Sequence, residues 1–284
     1  MRLSTPWCAE IGIRVPVVNA PMGGAAGGRL ATAVSRAGGL GMIGMGSAAT
    51  PAALRGELAE LGDRDGVFGI GLVHWVMAER PELLDVALAA RPRLLSVSFG
   101  DEWSWVARAH EAGVRVTTQV PDVESARRAA DAGADVVVAR GAEGGGHGRP
   151  AMGTLALLAG VLDAVEVPVL AAGGVTSARA LAAVLAAGAS GAWVGTAFAA
   201  CTESLTAGDA RAELLAGTQT ELTSEHDIAA GYRWPADIPE RVLRGSPVNA
   251  GEGVGLLRRQ SGAADVVAQL CEGAAELLGR WTGS

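Results

Sequence analysis

The chain has 284 residues, 49% hydrophobic and 19% charged, enough to bury one large core. Its net charge of −7 argues against a nucleic-acid surface. No apolar run reaches the length of a membrane span, and residues 1–6 lack the apolar core of a leader. Cys8, Cys201 and Cys271 are far apart with no CxxC, which fits reduced thiols in a cytoplasmic protein better than disulfides or a zinc site. All 23 basic residues are arginine. Without lysine, no Schiff base can form, which excludes lysine-dependent aldolases and pyridoxal-phosphate enzymes.

Short β-type runs alternate with helix-length amphipathic stretches. Residues 15–19 read as a first strand and 29–37 as its helix. Residues 41–43 and 51–61 follow, the helix opening on Pro51, where proline is tolerated. The pattern continues with 67–72 and 81–90, 94–98 and 103–112, then 114–119 and 123–132. Residues 135–139 form a sixth strand, followed by a long glycine-rich loop and a helix near 155–163. Residues 169–172 with 178–187, then 192–194 with a helix near Cys201, complete about eight units. Gly38, Gly113, Gly133 and Gly188 recur at helix ends as C-caps leading into the next strand. The expectation is an α/β fold, a (β/α)8 TIM barrel over about 13–207, with a C-terminal helical and loop cap over about 208–284. The whole, 1–284, reads as a single domain. Within the tail, 210–216 and 263–280 read as helices and 221–244 as an ordered polar cap.

Two glycine turns carry the most chemical information. Gly173-Gly174 follows the apolar run 167–172, and Gly195-Thr196 follows 191–194. Glycine lets backbone N–H groups approach an anion closely, and a following helix N-terminus favours negative charge. Turns after the seventh and eighth strands form the common phosphate site of this barrel. A phosphate-bearing cofactor or substrate is therefore expected at the C-terminal mouth.

The other strand ends face the same mouth: Asn19-Ala20-Pro21-Met22, Gly71 with His74 beyond it, Ser98-Phe99-Gly100-Asp101, Gln119, and the loop Gly141–Arg149. His147 is the catalytic candidate. Glycines flank it in a flexible loop, and imidazole titrates in the range suited to proton abstraction near neutrality. His74 lies near a strand end, His110 inside a surface helix, and His226 in the cap, where it is placed to close over the site. No HxH or HExxH spacing occurs, so no catalytic metal is expected. Gln119 either hydrogen-bonds a polar cofactor edge or plugs the barrel mouth. Arg140 and Glu143 read as a structural ion pair or as site groups, and Cys201 as a small buried residue.

The stretches Asn19-Ala20-Pro21-Met22, Ala37-Gly38-Gly39-Leu40-Gly41, Glu143-Gly144-Gly145-Gly146-His147-Gly148, Val169-Leu170-Ala171-Ala172-Gly173-Gly174-Val175 and Gly195-Thr196-Ala197-Phe198 resemble the nitronate monooxygenase family. Gly231-Tyr232-Arg233-Trp234-Pro235 resembles that family's cap. The resemblance implies non-covalent FMN, with its phosphate on Gly173-Gly174 and Gly195-Thr196. The isoalloxazine would lie across Ala20, Pro21, Met22, Gly71 and Gln119, near Ala172, with Gly145 and Gly146 packed close. His147 matches the family's catalytic histidine, which orients a nitronate or deprotonates a nitroalkane. Electrons would pass through the flavin to O2, giving a carbonyl compound and nitrite. The substrate implied is a nitronate or another small oxidisable anion. Many relatives carry Asn where Gly71 stands and Gln where Arg140 stands.

Two other readings share the barrel and glycine turns: an NAD(P)H-dependent flavin enoyl reductase and a non-catalytic FMN-binding accessory protein. An IMP dehydrogenase-like barrel needs a cysteine in the loop after strand six, and this loop has His147 instead. The oligomeric state stays open, a homodimer among the options.

Overall fold

A computed structural model describes residues 3–62 and 66–282. Met1 and Arg2, the start of the stretch inspected for a leader, lie outside it.

The chain opens with α1 (Pro6–Ile11), then β1 (Val17–Asn19), α2 (Gly28–Ala37), β2 (Gly41–Met45), α3 (Pro51–Ala59), β3 (Phe68–Val73), α4 (His74–Glu79) and α5 (Glu82–Ala89). It continues with β4 (Leu94–Ser98), α6 (Ser104–Glu111), β5 (Arg115–Val120), α7 (Val123–Asp131), β6 (Val136–Arg140), β7 (Gly146–His147), α8 (Thr154–Leu162), β8 (Val169–Ala172), α9 (Ala178–Ala186), β9 (Gly191–Val194) and α10 (Thr196–Ala199). The remainder comprises α11 (Gly208–Ala216), β10 (Thr220–Thr223), α12 (Glu225–Ala230), β11 (Glu240–Leu243) and α13 (Ala263–Thr282).

Eight strands pair in parallel in the order β1-β9-β8-β6-β5-β4-β3-β2. A parallel bridge between Val18 and Leu40 joins the two ends of this sheet. The result is the expected TIM barrel. Its strands are buried on both faces, which is why they read as short continuous apolar runs. Side-chain caps start several of the helices. Thr50, Asp122 and Ser177 accept from Ala53, Ser125 and Ala180 at the starts of α3, α7 and α9. Gly38, Gly113, Gly133 and Gly188 all adopt left-handed conformations after helix ends, as the recurring glycines predict. No described helix is long and apolar enough to cross a membrane.

Some elements differ from the sequence reading. Helix α1 was not expected. Its Trp7, Cys8 and Ile11 join Val18, Met42, Leu94, Val136, Leu170 and Trp193 in one buried cluster, so α1 seals the barrel interior at the end opposite the mouth. The first strand is shorter than 15–19. β3 runs directly into α4, which His74 begins. The helix after the last barrel strand spans 196–199 and ends before Cys201.

The tail forms the expected ordered cap and adds strands to it. β10 and β11 pair antiparallel, and β11 also pairs with β7, making a three-stranded sheet. Helix α13 lies on the barrel flank instead: Val267, Leu270 and Ala274 share a core cluster with Leu30, Val34 and Leu181.

The loop after β1 crosses the ends of β2 and β3. A Cβ on Gly44 would overlap the backbone of Pro21 and Met22, and one on Gly71 would overlap the Pro21 ring. These two glycines thus admit the Ala20-Pro21-Met22 segment to the mouth. Gly44→Ala should destabilise the protein by about 1–3 kcal/mol, the usual cost of overpacking. Urea unfolding followed by circular dichroism measures this, and an unchanged midpoint would refute the packing argument.

Candidate active site

Alternation along each strand decides which residues line the mouth. Leu94, Val136, Val138, Leu170 and Ala172 belong to the interior cluster. Two-residue steps from them, and the pairings Gly71↔Ser96, Ser96↔Thr117 and Thr117↔Val136, put Gly71, Ser98, Gln119, Arg140 and Ala172 on the inner face at the C-terminal end. Ser98 Oγ accepts from the Gln119 N–H at 3.1 Å, which ties β4 to β5 at that level.

The two glycine turns stand side by side, because β8 pairs with β9 in the register Ala172↔Trp193. Gly173 and Gly174 both have positive φ, +107° and +68°. A Cβ on Gly174 would meet only Glu143 Cβ at 3.6 Å, and one on Gly195 only Met22 Sδ and Ala20 Cβ, at 3.6 and 3.8 Å. Gly174 and Gly195 therefore present open backbone, whereas Gly173 packs against Thr154 and the loop after β6. Thr196 Oγ1 accepts from the Gly251 N–H at 2.9 Å. Gly145 meets the backbone of Ala250 and Gly251, so its lack of a side chain serves the packing of loop against cap.

The loop after β6 is held at two points. Arg140, buried, donates through Nη2 to the carbonyls of Gly144, Gly145 and Gly146 at 2.9, 3.2 and 3.0 Å. Glu143 accepts from the N–H and Oγ–H of Thr154 at the start of α8. The two residues are fastened separately, not to each other as an ion pair. Burial, then the nearby Arg241, brings the Arg140 pKa down to about 10.

This loop does not leave His147 free. His147 lies in β7, and β7 pairs with β11 in the register His147↔Glu240 and Gly146↔Arg241. Imidazole Nε2 lies 2.7 Å from Asp227 Oδ2, a carboxylate from α12 that is itself buried. The Trp234 indole stacks on the imidazole with centroids 3.6 Å apart and planes 8° apart. Phe99 approaches both rings edge-on, and Trp75 meets Trp234 at 5.8 Å. Trp234 Nε1 donates to Ser47 Oγ at 2.9 Å, which anchors the cap to the β2–α3 loop.

Burial pushes the His147 pKa below the usual imidazole value, and the Arg140 charge adds to this; the Asp227 hydrogen bond and charge oppose it. The neutral imidazole is favoured. Nε2 faces a carboxylate acceptor, so the proton sits there and Nδ1 keeps the lone pair. Glu240, buried beside them, has its pKa raised by burial and by Asp227, while His226 acts in the opposite direction. Donor atoms of His147, Asp227 and Glu240 all lie within 4.8 Å of one another.

The structure brings most of the expected residues to the mouth, but the cap contribution was missed. His226 was the expected closing residue; its neighbour Asp227 makes the contact. Phe99 stood in the strand-end stretch 98–101 and Trp234 in the family-like cap stretch 231–235; Asp227, Glu240 and Trp75 had no motif to announce them. His74 lies 3.9 Å from Glu102 and packs against Gly100, next to Phe99, while His110 pairs with Asp135 at 2.9 Å. Cys201 is buried, and burial drives its thiol up to about 12, so it is inert.

A cavity of about 170 Å³ opens between the ends of β4 and β5 and the cap, lined among others by Phe99, Trp103, Gln119, Arg128, Arg149 and Ile238.

The family model for nitronate monooxygenase matches residues 5–66 and 71–230. A (3aS,4S,5R,7aS)-5-hydroxy-7a-methyl-1-oxo-octahydro-1H-indene-4-carboxyl-CoA dehydrogenase of Rhodococcus jostii is 34% identical over 259 residues, covering 90% of this chain and 70% of that protein. A nitronate monooxygenase of Pseudomonas aeruginosa is 34% identical over 281 residues, covering 82% of this chain and 79% of that protein. The structure of FabK from Thermotoga maritima superposes with a TM-score of 0.87 at 27% identity, covering 99% of both chains. With a barrel of this topology, a histidine at its mouth and these relatives, the chain is an oxidoreductase and belongs to the nitronate monooxygenase family.

Proposed function

We propose that this enzyme binds FMN at the barrel mouth and oxidises an alkyl nitronate, taken up as the anion or formed in the site from the neutral nitroalkane, with O2. The observation that carries this reading is the largely buried His147 held by Asp227 at the same barrel mouth as two adjacent glycine turns. The turns fit a phosphate: Gly174 and Gly195 leave a cradle that side chains would fill. Gly173, Gly174, Gly195 and Thr196 would hold that group. Ala20, Pro21, Met22, Gln119 and Ala172 would border the ring, with Gly71 behind Pro21. A bound flavin would supply the path for electrons from substrate to O2.

The chain's own residues handle the proton and the charge. His147 Nδ1, with its lone pair free, takes a proton from the carbon next to a nitro group or, when protonated, holds an anionic nitronate. Asp227 fixes the tautomer and balances the imidazolium. Trp234, Phe99 and Trp75 keep water from the imidazole. Arg140 holds the loop that carries His147 in place.

The cavity beside the site favours a second reading. Aromatic and aliphatic walls next to three arginines, Arg128, Arg140 and Arg149, suit an acyl chain with an anionic head, and the Rhodococcus relative is named for a carboxyl-CoA substrate. In this reading His147 acts at the carbon next to a thioester carbonyl, in an acyl-thioester redox reaction.

The purified protein should be yellow and release FMN on heating. His147→Asn should keep the flavin and lose about a hundredfold to ten-thousandfold in turnover of a neutral nitroalkane, whose proton it can no longer remove. A colourless protein that refuses FMN would end the proposal. Rapid anaerobic bleaching by NADPH, without nitronate-dependent oxygen uptake, would favour the acyl-thioester reading.

The pH profile tests the dyad. With a neutral nitroalkane as substrate, proton abstraction needs neutral His147, so the acid limb of kcat/KM should lie below 6.5. Asp227→Asn removes the group that raises this pKa. The limb should then move to lower pH, while kcat/KM falls by up to about a hundredfold as orientation is lost. An unmoved limb would assign Asp227 a purely structural part.

A further inference from the structure

We propose that His147, Asp227 and Glu240 form a binding site for one divalent transition-metal ion of the zinc class, and that the ion, when bound, takes the catalytic imidazole out of use.

The three donors come from three elements far apart in sequence, β7, α12 and β11, and converge under the aromatic roof of Trp234 and Phe99. His147 and Glu240 are cross-strand partners in the cap sheet, so the position of one fixes that of the other. The Asp227 and Glu240 residues are only 6% and 4% exposed. Glu240 Oε1 is buried with no hydrogen-bond partner. A native carboxylate oxygen seldom stays in that condition without a ligand to meet it. A dipositive ion with a neutral imidazole and two carboxylates would be electrically balanced.

Chemistry narrows the ion. One imidazole nitrogen and two carboxylates are three protein ligands of the kind that catalytic zinc sites use, leaving a fourth position for water. Calcium and magnesium want six or more oxygens and do not favour imidazole. Zinc bonds of about 2.0–2.2 Å put tetrahedral ligands roughly 3.3 Å apart. His147 Nε2 and Asp227 Oδ2 are already 2.7 Å apart, and all three donors lie within 4.8 Å. Side-chain torsion at Asp227 and Glu240 covers the difference. As the ion takes Nε2, the single ring proton is given up there and regained at Nδ1 through solvent, so the ligand stays a neutral imidazole and the Nδ1 lone pair is no longer open to a substrate proton. Ion and substrate proton then compete for the same imidazole.

The test uses the protein as purified, stripped with EDTA and titrated with zinc chloride by isothermal titration calorimetry. One ion per chain is expected, with turnover lost in parallel and restored by EDTA. Glu240→Gln should weaken binding by at least about tenfold, the cost even of an outer-shell partner. His110→Asn, on the surface, should leave it unchanged. Cobalt(II) should give the visible bands of a tetrahedral ion in the wild type and lose them in Glu240→Gln. If Glu240→Gln fails to fold, Asp227→Asn with the cobalt spectrum replaces it. Absence of saturable binding, or equal affinity in the variants, would overturn the inference, as would zinc binding that leaves turnover intact. Calorimetry reads the site without reference to flavin: a colourless protein that binds zinc keeps this inference while the cofactor proposal fails.

Discussion

The short pairing of Gly146-His147 with Glu240-Arg241 is the contact on which the site depends. A barrel loop rich in glycine has many accessible conformations, and fixing it has an entropic cost. Two residues of antiparallel ladder remove that freedom where the imidazole sits. The same ladder brings in β11, and the cap delivers Asp227 and Trp234 to the ring. Without it, His147 would be a mobile surface group with an ordinary titration.

Arg140 supports that ladder from the barrel side. Its guanidinium spends its donors on three successive carbonyls of the loop, not on a carboxylate. A buried cation satisfied by backbone dipoles keeps its charge near the imidazole, and that charge disfavours protonation of His147. Asp227 pulls the other way. The imidazole is thus set between one cation and one anion, with burial favouring its neutral form.

The barrel was legible because its physics is local and repeated. Each strand is short and apolar on both faces, and each helix ends in a glycine that marks the next strand, as at Gly113 and Gly188. The adjacent glycine turns could be read in the same way, since strand order alone makes them neighbours. The cap was not legible. Asp227 lies 80 residues from His147 along the chain, and nothing in its surroundings differs from an ordinary helix acid. Glu240 and Trp234 acquire their roles only through the β7–β11 register and the stack. Spacing rules see donor atoms on one element, whereas His147, Asp227 and Glu240 sit on three. Helix α1 was missed because its six residues are too few for periodicity to show.

The face-to-face stack of Trp234 on His147 also constrains how the enzyme is approached. A flat molecule seeking that side of the imidazole finds the place already taken by the indole, which is tethered through Ser47 to the barrel rim. Admission therefore requires the tryptophan to swing away, and departure allows it to return. Visits to the site are thereby coupled to the opening and shutting of one side chain, so residence times should follow indole motion as much as the strength of any grip on the guest.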